Sequence, residues 1–341
     1  MNRFGDISAA IQQGERYLFS KLHEGHWNGF PTLAGESDIW VTGFIAAHLQ
    51  LFAYETEWLQ QTQHFLFANR HPSGGWSYSK YVPPDADSTS WCMMALKNCN
   101  EFNTSLQLQS KAFLWNHRSH NALSTYHIDS GIDTFIGITD KQLIAGWTAP
   151  HPDVTVAAIL ADPGYPDVAV IIERLLQWQT NEGLLPAYWW RSSFYTVTLL
   201  LRAYSVLKLE CPSLTKELLK HTLARKQQND GGFSLNASSA FNPFATGLAL
   251  EIYCHLSNDD TAAEQCAQVL LEKQKEDGSW QGDDLLRIPA PYILDPETVV
   301  EWNVTGGGNS IVNDQQGLFT TAIVCHSLHL WLQKITGSSK N

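Results

Sequence analysis

One pattern recurs from end to end of this chain and constrains its fold more than any other feature. A helical segment leads into a loop that pairs glycine with an aromatic residue, and a second, more apolar helix follows. The loops read HEGHWNGF (23-30), HPSGGWSYS (71-79), NEGLLPAYWW (181-190), NDGGFSLN (229-236) and EDGSWQGD (276-283). The apolar helices begin near SDIWVTGF (37), DSTSWCMM (87), PDVTVAAI (152), SSFYTVTL (192), NPFATGLA (242) and GLFTTAIV (317), so a sixth unit is present although its loop has diverged. Each opens with residues that satisfy free N–H groups or permit a tight entry. A helix apolar nearly all round is buried all round, whereas the helices before the loops, such as CPSLTKELLKHTLARKQ (211-227) and DDTAAEQCAQVLLEKQ (259-274), are amphipathic.

Six buried and six half-exposed helices predict an all-α fold, one (α/α)6 barrel spanning residues 1-341 as a single domain. Its inner helices are expected near 38-50, 88-99, 153-162, 193-207, 243-256 and 317-333. The parallel inner ring gathers six N-termini at one mouth. Glycine turns the backbone there, and the aromatic plugs the gap between hairpins. Two stretches, near 119-150 and 283-316, interrupt the pattern. The alternation in TYHIDSGIDTFIGI (125-138) reads as a short hairpin that serves as a lid, a structural edge or a dimer contact. TGGGN (305-309) reads as flexible; no strand precedes it and no Lys-Ser/Thr follows, which argues against a phosphate cradle.

The chain has 341 residues, 44% hydrophobic and 16% charged, enough for a large core. Its 34 acidic against 22 basic residues argue against nucleic acid as a partner. No run of 18 apolar residues and no leader-like N-terminus occur, so the expectation is a cytoplasmic protein without a transmembrane segment. Six dispersed cysteines read as reduced core residues rather than zinc ligands.

At the head of the second inner helix stands YVPPDADSTSW (81-91), two aspartates one residue apart behind two prolines. The repeat, best seen in QKEDGSW (274-280) and QQNDGGF (227-233), resembles the QW repeats of the squalene-hopene cyclase and prenyltransferase superfamily. Within it, Asp85-Ala86-Asp87-Ser88-Thr89 is similar to the D-x-D-D motif of class II terpenoid cyclases, in a D-x-D-S-T form. The resemblance implies a proton-initiated cyclase or isomerase acting on an isoprenoid or related alkene. Asp87 would then be the general acid, and Asp85 would hold it in the right orientation and protonation state. A lone aspartate, pKa about 3.9, is protonated about once in a thousand at neutral pH. Burial and a second carboxylate raise that fraction.

Helical spacing places Trp91 one turn below Asp87, as a wall of the pocket. Trp40, Trp189, Trp190, Phe194, Tyr195, Phe241, Phe244 and Phe319 stand at or just inside inner-helix starts, as core or as cation-stabilising wall. Against the acid reading, Asp87 ahead of Ser88, Thr89 and Ser90 is also a good helix cap. Asp38, Asp153, Asn242 and the loop acids Glu36, Asp283, Asp284 and Asp314 read as caps or solvated charge that make the rim acidic. A diphosphate would need Mg²⁺ or a cluster such as Arg191 with Arg287, so the expected partner is a hydrophobic small molecule and no cofactor is expected otherwise.

Class II cyclases usually build the active site between two barrels, and this chain has residues for one. The substrate is therefore small, or the 119-150 insertion, a homodimer or another partner closes the mouth. Two alternatives stand beside this reading. One is a zinc-dependent prenyltransferase-like enzyme drawing on Cys92 and the histidines His117, His120, His127 and His151; the other is a non-catalytic barrel for a lipid-like or peptide ligand.

Overall fold

The inner ring is formed by α2 (Ile39–Phe52), α4 (Ala86–Ala95), α8 (Pro152–Ala161), α10 (Tyr195–Leu207), α12 (Pro243–Leu256) and α14 (Leu318–Thr336). In the computed structural model, which describes residues 3–53, 57–235, 240–256 and 260–337, each packs on the next and α14 packs back on α2, closing the ring. All six lie within four residues of the expected bounds. The outer layer is α1 (Arg3–Ser20), α3 (Glu57–Ala68), α5 (Thr104–Trp115), α9 (Val168–Leu176), α11 (Ser213–Lys226) and α13 (Asp260–Glu272). Asn236, which ends the fourth loop, and Asp259 lie outside the described residues.

The loops are fixed by contacts that recur. Gly278 has φ +88°, and a Cβ there would stand 2.4 Å from the Gln13 carbonyl oxygen, so only glycine lets the turn approach α1. Gln274 Nε2 donates to Ala10 O and Gly278 O across the same junction. The indole Nε1 groups of Trp27, Trp76 and Trp280 donate to carbonyls at the ends of the preceding outer helices, Leu18, Leu66 and Leu270, so the plugs are buried without an unpaired donor.

A further sixfold device was not read from the sequence. Every inner helix buries a threonine in its first turn: Thr42, Thr89, Thr155, Thr196, Thr246 and Thr321. Five of these hydroxyls accept the backbone N–H of the plugging residue, Trp27, Trp76, Leu123, Phe233 or Trp280. Thr196 instead donates to Pro186 O. Leu123 thus stands where the third unit lacks an aromatic plug, and Thr155 marks that unit as a true repeat.

The 125-138 segment is not a hairpin. The only strand pair there, β3 (Arg118–Ser119) with β4 (Ala122–Leu123), precedes it, and the alternating text instead forms α6 (Ile132–Phe135) between Gly131 and Gly137, both at positive φ. Ile132, Ile144, Tyr126 and Val82 pack as a small apolar cluster of their own, which rewards a helical turn facing the mouth over an exposed two-stranded ribbon. A last turn, α7 (Ala145–Thr148), ties this segment to the second insertion: Gly146 N donates to Pro291 O and Trp147 Nε1 to Pro289 O. The second insertion carries an antiparallel pair, β5 (Asp284–Ile288) with β6 (Ser310–Asn313), and a short pair of β1 (Gly29–Thr32) with β2 (Gly35–Ser37) follows the first loop. TGGGN is held, not loose, since Leu33 N donates to Gly306 O and Gly307 and Gly308 lie against Leu33 and Ala290. Together the insertions roof the barrel mouth.

Candidate active site

Beneath that roof lies a cavity of about 510 Å³, within the range of roughly 300–1,000 Å³ for small-molecule sites. Asp85, Asp87, Ser88, Trp40 and Trp189 line its floor; Tyr126, Ile132, Phe135, Ile136, Ile138 and Trp147 come from the first insertion, and Leu286, Ile288 and the 306-308 glycines from the second. Its only charged lining residues among those described are the two aspartates.

The helix cap is Asp85, not Asp87. Asp85 Oδ1 accepts from Ser88 N at 2.7 Å and Oδ2 from Ser88 Oγ at 2.6 Å. Burial pushes its carboxyl up to about 7, against the downward pull of those Ser88 bonds. Both Asp85 oxygens accept from Ser88, and Asp85 acts on Asp87 through its charge and the Asp87 backbone N–H; among the described residues its carboxyl does not hydrogen-bond the Asp87 carboxyl. Trp40 does: its Nε1 donates to Asp87 Oδ2 at 2.8 Å. Asp87 Oδ1 makes no hydrogen bond to any described residue.

Asp87 stands in the first turn of α4, where the helix dipole favours the ionised form by about 0.3–1 kcal/mol. Desolvation is the larger effect. It raises the Asp87 pKa well above the usual carboxylate range, and Asp85 and then Asp153 add repulsion; the indole N–H groups of Trp40 and, at longer range, Trp91 offset part of it. Asp153, read from sequence as a cap or surface charge, is 2% exposed. Its Oδ2 accepts from Tyr188 N and Trp189 N, while its buried Oδ1 has no partner among the described residues, and burial raises its pKa too. Three carboxyl groups therefore act on one another electrostatically, with no cation between them among the described residues. Arg287 is committed to Glu297 and the carbonyls of Tyr188 and Ala187, and Arg191 to Asp284.

Of the nine aromatic candidates, Trp40 and Trp189 reach the cavity wall. Trp91 lies one turn beyond Asp87 as expected, but it is 1% exposed, packed on Phe44 and His48, and off the wall. Trp190, Tyr195, Phe244 and Phe319 fill the barrel axis, with Trp190 stacked on Tyr195 at 4.2 Å and Phe319 on Phe44 at 3.9 Å. Phe194 packs edge-on to Phe233, and Phe241 sits under Lys273. Most of the wall lies above the helix starts, in the insertions, where no helical period marks its residues.

The zinc reading finds no support in this geometry. No group of three His, Cys, Asp or Glu residues among those described could hold a metal ion. Cys92 is fully buried, its thiol against Ile39 O. No helix among the described residues is long and apolar enough to cross a membrane.

No protein-family model matches the chain, and no curated protein does. Solved structures do. The type II terpene cyclase MstE from Scytonema in its apo form is 26% identical, with a TM-score of 0.87 over 95% of this chain and 98% of that one. A variant of it with one aspartate changed to asparagine, in complex with the substrate geranylgeranyl dihydroxybenzoate, matches at 25% identity and a TM-score of 0.88 over 96% and 98%. An ent-copalyl diphosphate synthase from Streptomyces platensis, at 14% identity, shares the fold alone: the TM-score is 0.58, over 86% of this chain and 50% of that one.

Proposed function

We propose that this chain, an enzyme with the single-barrel fold of the type II terpene cyclases, starts cyclisation of an isoprenoid by proton transfer from Asp87. The observation that carries the proposal is a carboxyl group on the wall of an apolar cavity, hydrogen-bonded on one oxygen only and accompanied by two carboxyls and no cation. Trp40 Nε1 is purely a donor, so Oδ2 accepts and Oδ1 is left to carry the proton towards the substrate. The proton adds to a terminal alkene or epoxide, leaving a tertiary cation that neighbouring π bonds capture in ring closures. As Asp87 becomes a carboxylate, the Trp40 N–H bond strengthens, which is where stabilisation counts for rate.

The aromatic faces of Trp40, Tyr126, Trp147 and Trp189 hold the cation without attacking it. The two insertions supply, within one chain, the exclusion of water that two-barrel relatives obtain between domains. Protonation by a carboxylic acid calls for no cofactor. A wall without Arg or Lys among the described residues suits an isoprenoid that does not carry a diphosphate. A geranylgeranyl chain on an aromatic acid, the kind of molecule bound to the MstE variant, is the first substrate to try.

The test compares wild type with Asp87→Asn on geranylgeranyl dihydroxybenzoate and on geranylgeraniol, reading cyclic products by mass spectrometry and folding by Tm. Asparagine keeps the shape and cannot deliver the proton. Turnover should fall by at least about 10²–10⁴, the usual worth of general acid catalysis, at nearly unchanged Tm. A stable, fully active Asn variant would contradict the assignment.

A further inference from the structure

A cation made by Asp87 must eventually lose a proton, and the cavity holds a second set of hydrogen-bonded side chains that the initiating step does not use. Thr125 lines the cavity beside Trp189, and its backbone carbonyl accepts the N–H of Ala86, which sets it next to the acid. Its hydroxyl meets Trp189 Nε1 at 2.7 Å and His151 Nδ1 at 2.8 Å. His151 Nε2 lies 2.9 Å from Gly146 O in α7.

Donor chemistry fixes the direction of this chain. A carbonyl oxygen only accepts, so His151 Nε2 carries the hydrogen, and Nδ1 of a neutral ring is then an acceptor. An indole N–H only donates, so Trp189 gives to Thr125 Oγ1, and the Thr125 proton points to His151 Nδ1. The second lone pair of Thr125 Oγ1 has no partner among the described residues. Burial depresses the His151 pKa to about 3, so the ring is neutral throughout the physiological range. His151 precedes α8 yet its side chain makes no cap bond, so capping does not account for it.

Resting on the cyclase reading above, we infer that Thr125, with His151 behind it, is the base that ends the reaction as an alkene. The C–H bond next to the cationic carbon breaks and its electron pair becomes the new C=C bond. The proton passes to Thr125 Oγ1 while the Thr125 O–H proton moves to His151 Nδ1, leaving an imidazolium. One proton is lost by Asp87 and one is gained by His151; exchange through solvent after product release restores both, so turnover consumes none. Thr125 touches the substrate, and His151 is a positioning and proton-accepting residue acting through it. A neutral imidazole is a weak base in water, but a tertiary carbocation is a far stronger acid than any side chain, so a low pKa does not disable it.

The experiment measures the share of alkene among the products of wild type, Thr125→Val and Thr125→Ser, with geranylgeranyl dihydroxybenzoate as the probe and Tm recorded alongside. Valine keeps the shape and removes the relay. Its alkene share should fall in favour of water-captured alcohol or shifted double-bond isomers, deprotonation at the original carbon slowing by about 10². Serine keeps the hydroxyl and should restore the wild-type pattern, which a merely structural role for the residue would not require. An unchanged product pattern in folded Thr125→Val overturns the relay.

A second readout needs no turnover. ¹⁵N-histidine spectra, with His151 assigned by its loss in His151→Gln, should show a neutral ring protonated at Nε2 at pH 7. Protonation at Nδ1 overturns the relay, because the acceptor would be gone. No cyclisation at all by wild type would contradict the cyclase reading and the relay with it, whereas cyclisation with an unchanged alkene share contradicts the relay alone.

Discussion

Two groups of buried charge share this barrel and behave oppositely. At the mouth, Asp85, Asp87 and Asp153 have no cation for company among the described residues, and all three are pushed towards the neutral acid. Further down the same ring, the fully buried Glu251 receives Arg202 Nε and Nη2 in a fork, with His326 and His255 near its oxygens, and it is held ionised, well below the ordinary carboxylate range. His48 completes that lower cluster as a neutral ring, donating from Nδ1 to Phe44 O and accepting from Arg202 at Nε2. Burial is similar in both places, so pairing decides the outcome. A buried carboxyl is pushed towards the neutral acid where its cation is withheld and is held as an anion where one is supplied.

The contrast breaks most severely at the lower cluster. Arg202→Met leaves Glu251 buried without its fork and should cost about 3–5 kcal/mol in denaturant unfolding. Adding Glu251→Gln should recover much of that loss, since the stranded charge is removed. No recovery would mean that Arg202 contributes mainly through packing.

The next effect is a pH dependence at the upper cluster. The folded Asp85 carboxyl, near 7, lies above its ordinary 3.8, so the folded state holds this proton more tightly than the unfolded chain does. The associated stability is whole below about pH 4 and is lost as pH rises to about 7. Asp85→Asn caps α4 as well as aspartate does and does not titrate. Its stability relative to wild type should therefore rise between those pH values, with a ceiling of about 4 kcal/mol at about 1.4 kcal/mol per pH unit. A gap that does not change with pH would place Asp85 among ordinary ionised caps.

The smallest effect isolates the single hydrogen bond to the acid. Trp40→Phe keeps the aromatic wall and removes the N–H that favours the Asp87 carboxylate, so the Asp87 pKa should climb further and the acid weaken. A bond to a charged group is worth about 1.5–3 kcal/mol, so turnover should drop by about 10- to 100-fold with little change in Tm. Unchanged turnover would remove Trp40 from the account of the acid.

The two clusters were not equally legible in the sequence. The barrel was readable because five of six units repeat a helix period, a Gly-aromatic turn and a buried follower, and the aspartate pair was readable because it heads a repeat. What the sequence hid was pairing in space. Glu251 and Arg202 sit on different helices 49 residues apart, inside otherwise apolar text. Trp40 and Asp87, 47 residues apart, meet only because α2 and α4 are neighbours in the ring. Asp153 resembled a cap because it follows His151-Pro152 at a helix start, and nothing local says that its oxygen points inward. The roof was hidden for a different reason. Alternation in 125-138 satisfies a strand pattern, but Ile132 and Ile144 find a shared apolar contact with Val82 and Tyr126 that only a helical turn can deliver.

Whether Asp87 is a neutral carboxylic acid in the resting enzyme can be read without substrate. The measurement is the infrared difference spectrum of wild type minus Asp87→Asn at pH 7 in the carbonyl region. The substitution should remove a protonated-carboxyl C=O band, with carboxylate bands unchanged. Loss of a carboxylate band instead would show Asp87 ionised, and the proton that starts the reaction would have to come from elsewhere.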